Sequence, residues 1–275
     1  MRKQKTYSWI LFAFMLLLTL VFLYPLFIVI MNSVKPLGDI LVDPLSLPKA
    51  FHFENYANAW KTVEFPKVLM NTLILTALSV VGIILFSSMT AYWVERHPTR
   101  YSRFFSAMLI VSMLIPFAST MIPLVYVIRT IGLANSLQGA VITYWGVGLA
   151  FSFFIIRGAV KALPIDLEEA AEIDGCGPIQ VFFKVAFPLL QPTMVTVLIM
   201  DIFWIWNDFM IPLILLDSGK LSTIQLAVKK LFSMFASKWD IALPALVMTI
   251  APLAVIFIIL QKKVINGILS GAVKG

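Results

Sequence analysis

Carboxylates set inside apolar sequence are where this chain could do chemistry. The first group lies in DLEEAAEID, where Asp166, Glu168, Glu169, Glu172 and Asp174 surround Ala170 and Ala171 and are followed by Gly175. The second lies in DIFWIWND, which holds Asp201, Trp204, Trp206, Asn207 and Asp208. Acids and amides can hydrogen-bond a polar ligand, and neighbouring aromatic rings can pack against its apolar faces. Acids alone can dock basic partners or relay protons. Other reactive types offer less. Cys176 is the one cysteine, so no internal disulfide forms, and His52 and His97 stand far apart with no ligand spacing. The sequence has no phosphate loop of the G-x-x-x-x-G-K-[ST] type, no G-x-S-x-G elbow and no H-E-x-x-H pair.

The elements that position these groups must be membrane helices. The 275 residues are 60% hydrophobic and 13% charged, and mean hydropathy is +0.95. Soluble domains carry about 25% charged residues, so this composition cannot cover a water-soluble globule. It predicts one membrane domain over 1–275. The net charge of +7 reads as basic residues at membrane boundaries. No basic-aromatic pattern points to nucleic acid. The start, MRKQK before a long apolar run, resembles a signal peptide. That run, 9–31, exceeds a signal core and has no small-residue cleavage site, so it reads as a retained span.

A span needs about 20 mostly apolar residues. Charge-free gaps give five spans, near 9–31, 68–94, 104–128, 139–156 and 241–260, and the long apolar stretch 192–216 gives a sixth despite Asp201 and Asp208. The runs are continuous rather than alternating, so they are helices and not barrel strands. The expected fold class is all-α, a polytopic membrane protein with six transmembrane helices. With the N-terminus inside, the inner segments hold a modest excess of Lys and Arg. The short loop ERHPTRYSR, with Arg96, Arg100 and Arg103, gives the strongest local signal. Both ends are then cytoplasmic, and the segment 157–191 between spans four and five faces the cytoplasm.

Within that segment ALPIDLEEAAEID predicts a short helix. Pro164 suits its first turn, the acids Asp166, Glu168 and Glu169 suit the positive end of its dipole, and Gly175 suits a left-handed position just past its end. Pro178 begins a second helix. Leu163, Leu167, Ala170 and Ile173 fall on one stripe. Interfacial helices lying on lipid are usually rich in Lys and Arg. This one is acidic, and anionic lipid would repel it. A surface for another protein fits better than a connecting loop.

The same stretch resembles the signature loop of permease subunits of ABC importers. Glu169-Ala170-Ala171, then Gly175, then Val185, Phe187 and Pro188 fall at that loop's spacing. Further stretches resemble the maltose and multiple-sugar branch: FENYANAW, MNTLILT, GLANS, WNDFMIPLIL and the terminal GAVKG, spread over almost the whole chain. Cys176 departs from the pattern, where alanine is commoner. The resemblance implies a multi-pass subunit of a bacterial or archaeal plasma membrane that forms half of a sugar pathway and is not itself an enzyme. It implies as partners a second homologous permease, two ATPase subunits that carry the ATP and magnesium, an extracytoplasmic sugar-binding protein and the lipid bilayer. It also implies that a cytoplasmic coupling helix between spans four and five docks on an ATPase through Asp166, Glu168, Glu169, Ala170, Ala171, Glu172, Asp174 and Gly175. Which sugar is carried is not legible.

For the pathway the candidates are Asn71, Tyr144, Asp201, Trp206, Asn207 and Asp208. Two roles are open to each: lining the route, or fixing helices together. A charge at mid-helix costs about 2.5–3.5 kcal/mol on insertion scales. Asp201 therefore needs water or a polar partner, and Asp201 and Asp208, as intramembrane carboxylates, keep open a proton relay in a carrier working alone. Pro116, Pro123 and Pro212 read as kinks. A topology reporter fused after Gly275 is expected to behave as cytoplasmic; extracytoplasmic behaviour would show the span count to be wrong.

Overall fold

The computed structural model describes residues 2–216, 221–234 and 238–272. Met1, the stretches 217–220 and 235–237, and the terminal Val273-Lys274-Gly275 of GAVKG lie outside them. Every regular element among the described residues is a helix. They divide into two compact units, Met1–Pro66 with Ala227–Pro252 and Lys67–Leu226 with Leu253–Gly275.

In the first unit α1 runs over Arg2–Asn32 and carries an apolar stretch from Ser8 long enough to cross a bilayer. The segment after it folds into two short helices, α2 (Leu37–Val42) and α3 (Glu54–Thr62), the second arising from FENYANAW. Side-chain amides hold this segment to the end of α1. Asn32 donates to the carbonyls of Ile28 and Pro44, each at 2.8 Å, and Asn55 donates to that of Lys35 at 2.8 Å.

The second unit is built on α4 (Phe65–Arg96) and α7 (Leu137–Lys161). Its core joins Leu75, Ile83, Val94, Tyr144, Phe153, Ile156, Val197 and Ile205. Small residues let the helices approach. A Cβ on Gly82 would lie 2.0 Å from the Trp145 indole nitrogen, which donates to the Leu78 carbonyl at 3.1 Å. Glycines are favoured at such crossings because in lipid only close packing and hydrogen bonds hold helices together. The GLANS stretch is the turn into α7: Gly132 (φ 75°) and Asn135 (φ 51°) take the left-handed conformation, and the Ser136 hydroxyl accepts the Gly139 N–H at 3.0 Å as N-cap.

Two expected spans differ in form. The third, read as continuous over 104–128, is a pair of helices, α5 (Arg100–Ser112) and α6 (Phe117–Thr130), bent by 112°. Pro116 has no N–H and pushes Ile115 out of the helical region, so the helix stops and restarts. The fifth, read as continuous over 192–216, is broken, and its main helix is α10 (Gln191–Asn207). It is preceded by α9 (Pro178–Leu189) at 75° and followed by an extended Asp208 and the short α11 (Met210–Leu215). Then come α12 (Ile224–Met234) and α13 (Trp239–Ala272). Among the described residues, four helices are long and apolar enough to cross a membrane, or up to six spans if each bent pair counts as one.

Gly82→Val is expected to push Trp145 off the Leu78 carbonyl and to cost about 1–3 kcal/mol, the usual penalty of overpacking. Gly146→Ala, with open space around it, should change little. Thermal unfolding of the two purified variants in detergent checks the contrast.

Candidate coupling helix and membrane polar cluster

The acidic stretch forms α8, Asp166–Ile173. Its end is a Schellman turn: the Gly175 N–H reaches the Glu172 carbonyl and the Cys176 N–H the Ala171 carbonyl, each at 2.9 Å, with Gly175 at φ 85°. Left-handed geometry at this position accounts for the glycine. Pro178 opens α9, as expected, and the Gln180 side chain accepts the Gly177 N–H at 3.2 Å. Inside α9 the residues Phe182–Ala186 form a π turn.

The acids of α8 do not act alike. Asp166, Glu169 and Glu172 are exposed, as is Asp174 after them. Ala170 is exposed and Ala171 half-buried. Glu168 is buried. Its carboxylate accepts from Arg96 Nη2 at 2.6 Å, from Arg96 Nε at 3.0 Å and from the Tyr92 hydroxyl at 2.8 Å. Glu168 is therefore turned inward, away from the face that the other acids present. The stripe expected from the spacing is bare at its far end, with Leu167 45% and Ile173 87% exposed. Helix α8 thus shows a mixed acidic and apolar surface.

In the membrane segment the aspartates also part company. Asp208 accepts the Tyr144 hydroxyl at 2.7 Å and caps α11 by accepting the N–H groups of Met210 (3.0 Å) and Ile211 (3.1 Å). Tyr144 is buried and meets the Trp204 ring edge-on. Trp206 is buried in the core side of α10. Asn207 is exposed, donates to the Phe203 carbonyl at 2.8 Å and faces Gln225 at 3.4 Å. Asn71 donates to the Ser222 carbonyl at 3.1 Å, and next to it Thr72 accepts the Ile224 N–H at 3.0 Å. Sequence reasoning missed this last role; a threonine beside an asparagine at the start of an apolar span was its only signal.

Asp201 stands apart. It is 2% exposed, accepts from the Ser152 hydroxyl at 3.0 Å and has no cation in salt-bridge reach among the described residues. Ser152 is the polar partner on the neighbouring span that Asp201 required. With Val147, Gly148, Phe151, Met200 and Trp204, Asp201 lines a cavity of about 350 Å³. The candidates therefore do not converge on one site: Tyr144 and Asp208 are joined, Asp201 faces the cavity, and Asn71 ties down the segment before α12. No group of residues that could hold a metal ion occurs among those described.

Comparison with known proteins follows the same lines. The family model described as "Binding-protein-dependent transport system inner membrane component" matches residues 83–269. A probable starch degradation products transport system permease protein of Thermoanaerobacterium thermosulfurigenes is 34% identical over 274 residues, covering 100% of both chains. The melibiose/raffinose/stachyose import permease protein of Bacillus subtilis is 32% identical over 252 residues, covering 91% of each. Among solved structures, a bacterial ABC transporter chain involved in importing the acidic polysaccharide alginate superposes with a TM-score of 0.83 at 22% identity, over 95% of this chain and 98% of that one.

Asp208→Ala should remove both the cap and the Tyr144 bond. A cap is worth about 1 kcal/mol and a hydrogen bond to a charged group roughly 1.5–3 kcal/mol. The yield of folded protein is expected to fall while transport per assembled complex holds, with Asp208→Asn milder. Normal yield with impaired transport per complex would instead place Asp208 on the route.

Proposed function

The chain belongs to the family of binding-protein-dependent transport system inner membrane components, and on that premise we propose that it is one permease of an ATP-driven sugar importer. The family is a transport component rather than an enzyme, and it works with a substrate-binding protein. The sugar assignment is supported by the relatives, which are named for starch products and for melibiose, raffinose and stachyose. In this reading the whole chain acts as one permease domain with six spans and both ends in the cytoplasm. It pairs with a second homologous permease, receives sugar from an external binding protein, and rests on two ATPase subunits that hold the ATP and magnesium.

The observation that carries the reading is the surface of α8. A short helix that leaves Leu167 and Ile173 bare beside Asp166, Glu169 and Glu172 is built for a partner with an apolar cleft and basic rim. An exposed apolar patch rimmed by polar residues marks an interaction site, and Leu167 and Ile173 among the acids of α8 are read as such a patch. The Schellman turn at Gly175 then fixes the angle at which a push on α8 reaches α9 and, through the bend at Leu190, α10. Asp201 and its cavity are the part of the second unit best suited to meet a hydroxyl-bearing substrate.

Three substitutions test the docking. Glu169→Lys reverses the charge offered, Ile173→Asp removes the apolar anchor, and Gly175→Val strains a left-handed position. The first two are expected to weaken assembly with the ATPase several-fold. The third should leave assembly in place while lowering transport-linked ATP hydrolysis. Normal copurification with the ATPase and normal transport in all three would remove the assignment.

A further inference from the structure

Helix α8 connects to the membrane part of its unit in two ways. One is covalent, through Gly175 into α9. The other is a side-chain junction with no counterpart in the apolar packing. Among the described residues, Glu168 is the one member of α8 that is fully buried, so a carboxylate makes the junction of this helix with α4. Arg96, the last residue of α4, holds that carboxylate with two nitrogens at 2.6 and 3.0 Å. Tyr92, one turn earlier on α4, donates its hydroxyl at 2.8 Å to Glu168 Oε2, which Arg96 Nε also reaches at 3.0 Å. Arg96 Nη2 also lies 3.4 Å from the carbonyls of Val160, in the last turn of α7, and Leu163, just past it. The pair is well shielded, with side chains 15% and 8% exposed.

The neighbouring residue on α4 carries the opposite charge and makes a second fastening. Glu95 pairs with Arg157 of α7, and Arg157 also donates to the Ser106 hydroxyl of α5. Consecutive residues of one helix thus reach different elements with opposite charge. Together they tie the ends of α4 and α7 to α5 and α8.

A forked guanidinium on a carboxylate has fixed geometry, whereas apolar surfaces slide. Replacing a buried pair by apolar residues is often neutral or stabilising, so such a pair is weak evidence for stability and better evidence for register. We propose that Arg96, Tyr92 and Glu168 form a rigid strut that delivers the movement of α8 to α4 and α7, with Glu95, Arg157 and Ser106 bracing α5 to the same block. Tyr92, Arg96 and Glu168 are positioning residues: they set how much ATPase movement becomes span movement. This rests on the reading of α8 as the docking helix, and it adds a second path to the one through Gly175.

The test uses the complete transporter, with its ATPase, partner permease and binding protein, reconstituted in lipid vesicles. Complex yield, ATP hydrolysis and sugar delivered per ATP are measured together. Glu168→Gln keeps shape and removes the charge. It is expected to assemble in normal yield and to hydrolyse ATP, while sugar per ATP falls by roughly tenfold, within the range usual for coupling between sites. Tyr92→Phe, a milder change that spares folding, should lower the same ratio less. Exchanging the pair, Arg96→Glu with Glu168→Arg, should restore part of what either reversal alone removes. An unchanged ratio in assembled Tyr92→Phe and Glu168→Gln complexes overturns the strut. Loss of ATPase from the Glu168→Gln complex also overturns it, because Glu168 would then be a docking residue. Failure of the docking reading itself appears separately, as normal assembly of Glu169→Lys and Ile173→Asp.

Discussion

Inside a bilayer no water is available to a broken helix, so each freed backbone group must find a partner within the protein. Much of this fold follows from that demand. The chain is interrupted at Asp208, and the Asp208 carboxylate accepts the N–H groups of the helix that restarts. Before α12, Asn71 and Thr72 supply a donor and an acceptor to the backbone of Ser222 and Ile224. Outside the apolar spans, at the turn into α7, the Ser136 hydroxyl accepts the Gly139 N–H as an ordinary helix cap. Polar residues that look costly in apolar sequence are, at these points, the backbone's missing partners.

The demand separates the two aspartates of the fifth apolar stretch. Asp208 spends its oxygens on one tyrosine and two backbone groups. Little is left to offer a substrate. Asp201 receives one hydroxyl and borders a cavity with an otherwise apolar lining. A carboxyl in that setting has capacity to spare, and a ligand hydroxyl could use it. The distinction depends on which residues lie across the helix interface. Ser152 and Tyr144 are far from both aspartates in sequence, so nothing local announces either pairing.

What the sequence makes legible is local or compositional. Helical character follows from unbroken apolar runs, and the left-handed Gly175 follows from its place after a helix. Pro178 and the acids of α8 follow from dipole and cap. The form of the third and fifth spans was less legible. Pro116 announces a kink but not a 112° bend; the angle depends on what the next helix packs against. Glu168 was grouped with its acidic neighbours because charge alone cannot say which face of an eight-residue helix turns inward. Only Arg96 and Tyr92, a long way back in the chain, decide that.

Successive helical positions lie about 100° apart, so Glu168 and Glu169 point to different sides of α8 by construction. One is buried on Arg96, and the other is exposed. A helix meant to carry force between two bodies needs both: one side to be gripped and another to hold on. Apolar residues could fill the inward side, but at this length they would fix neither tilt nor register. A carboxylate held by a guanidinium fork and a phenol fixes both in three hydrogen-bonding directions. Under the proposed coupling role two adjacent glutamates do opposite jobs, and their division into one buried and one exposed carboxylate follows from helical geometry and the position of one arginine.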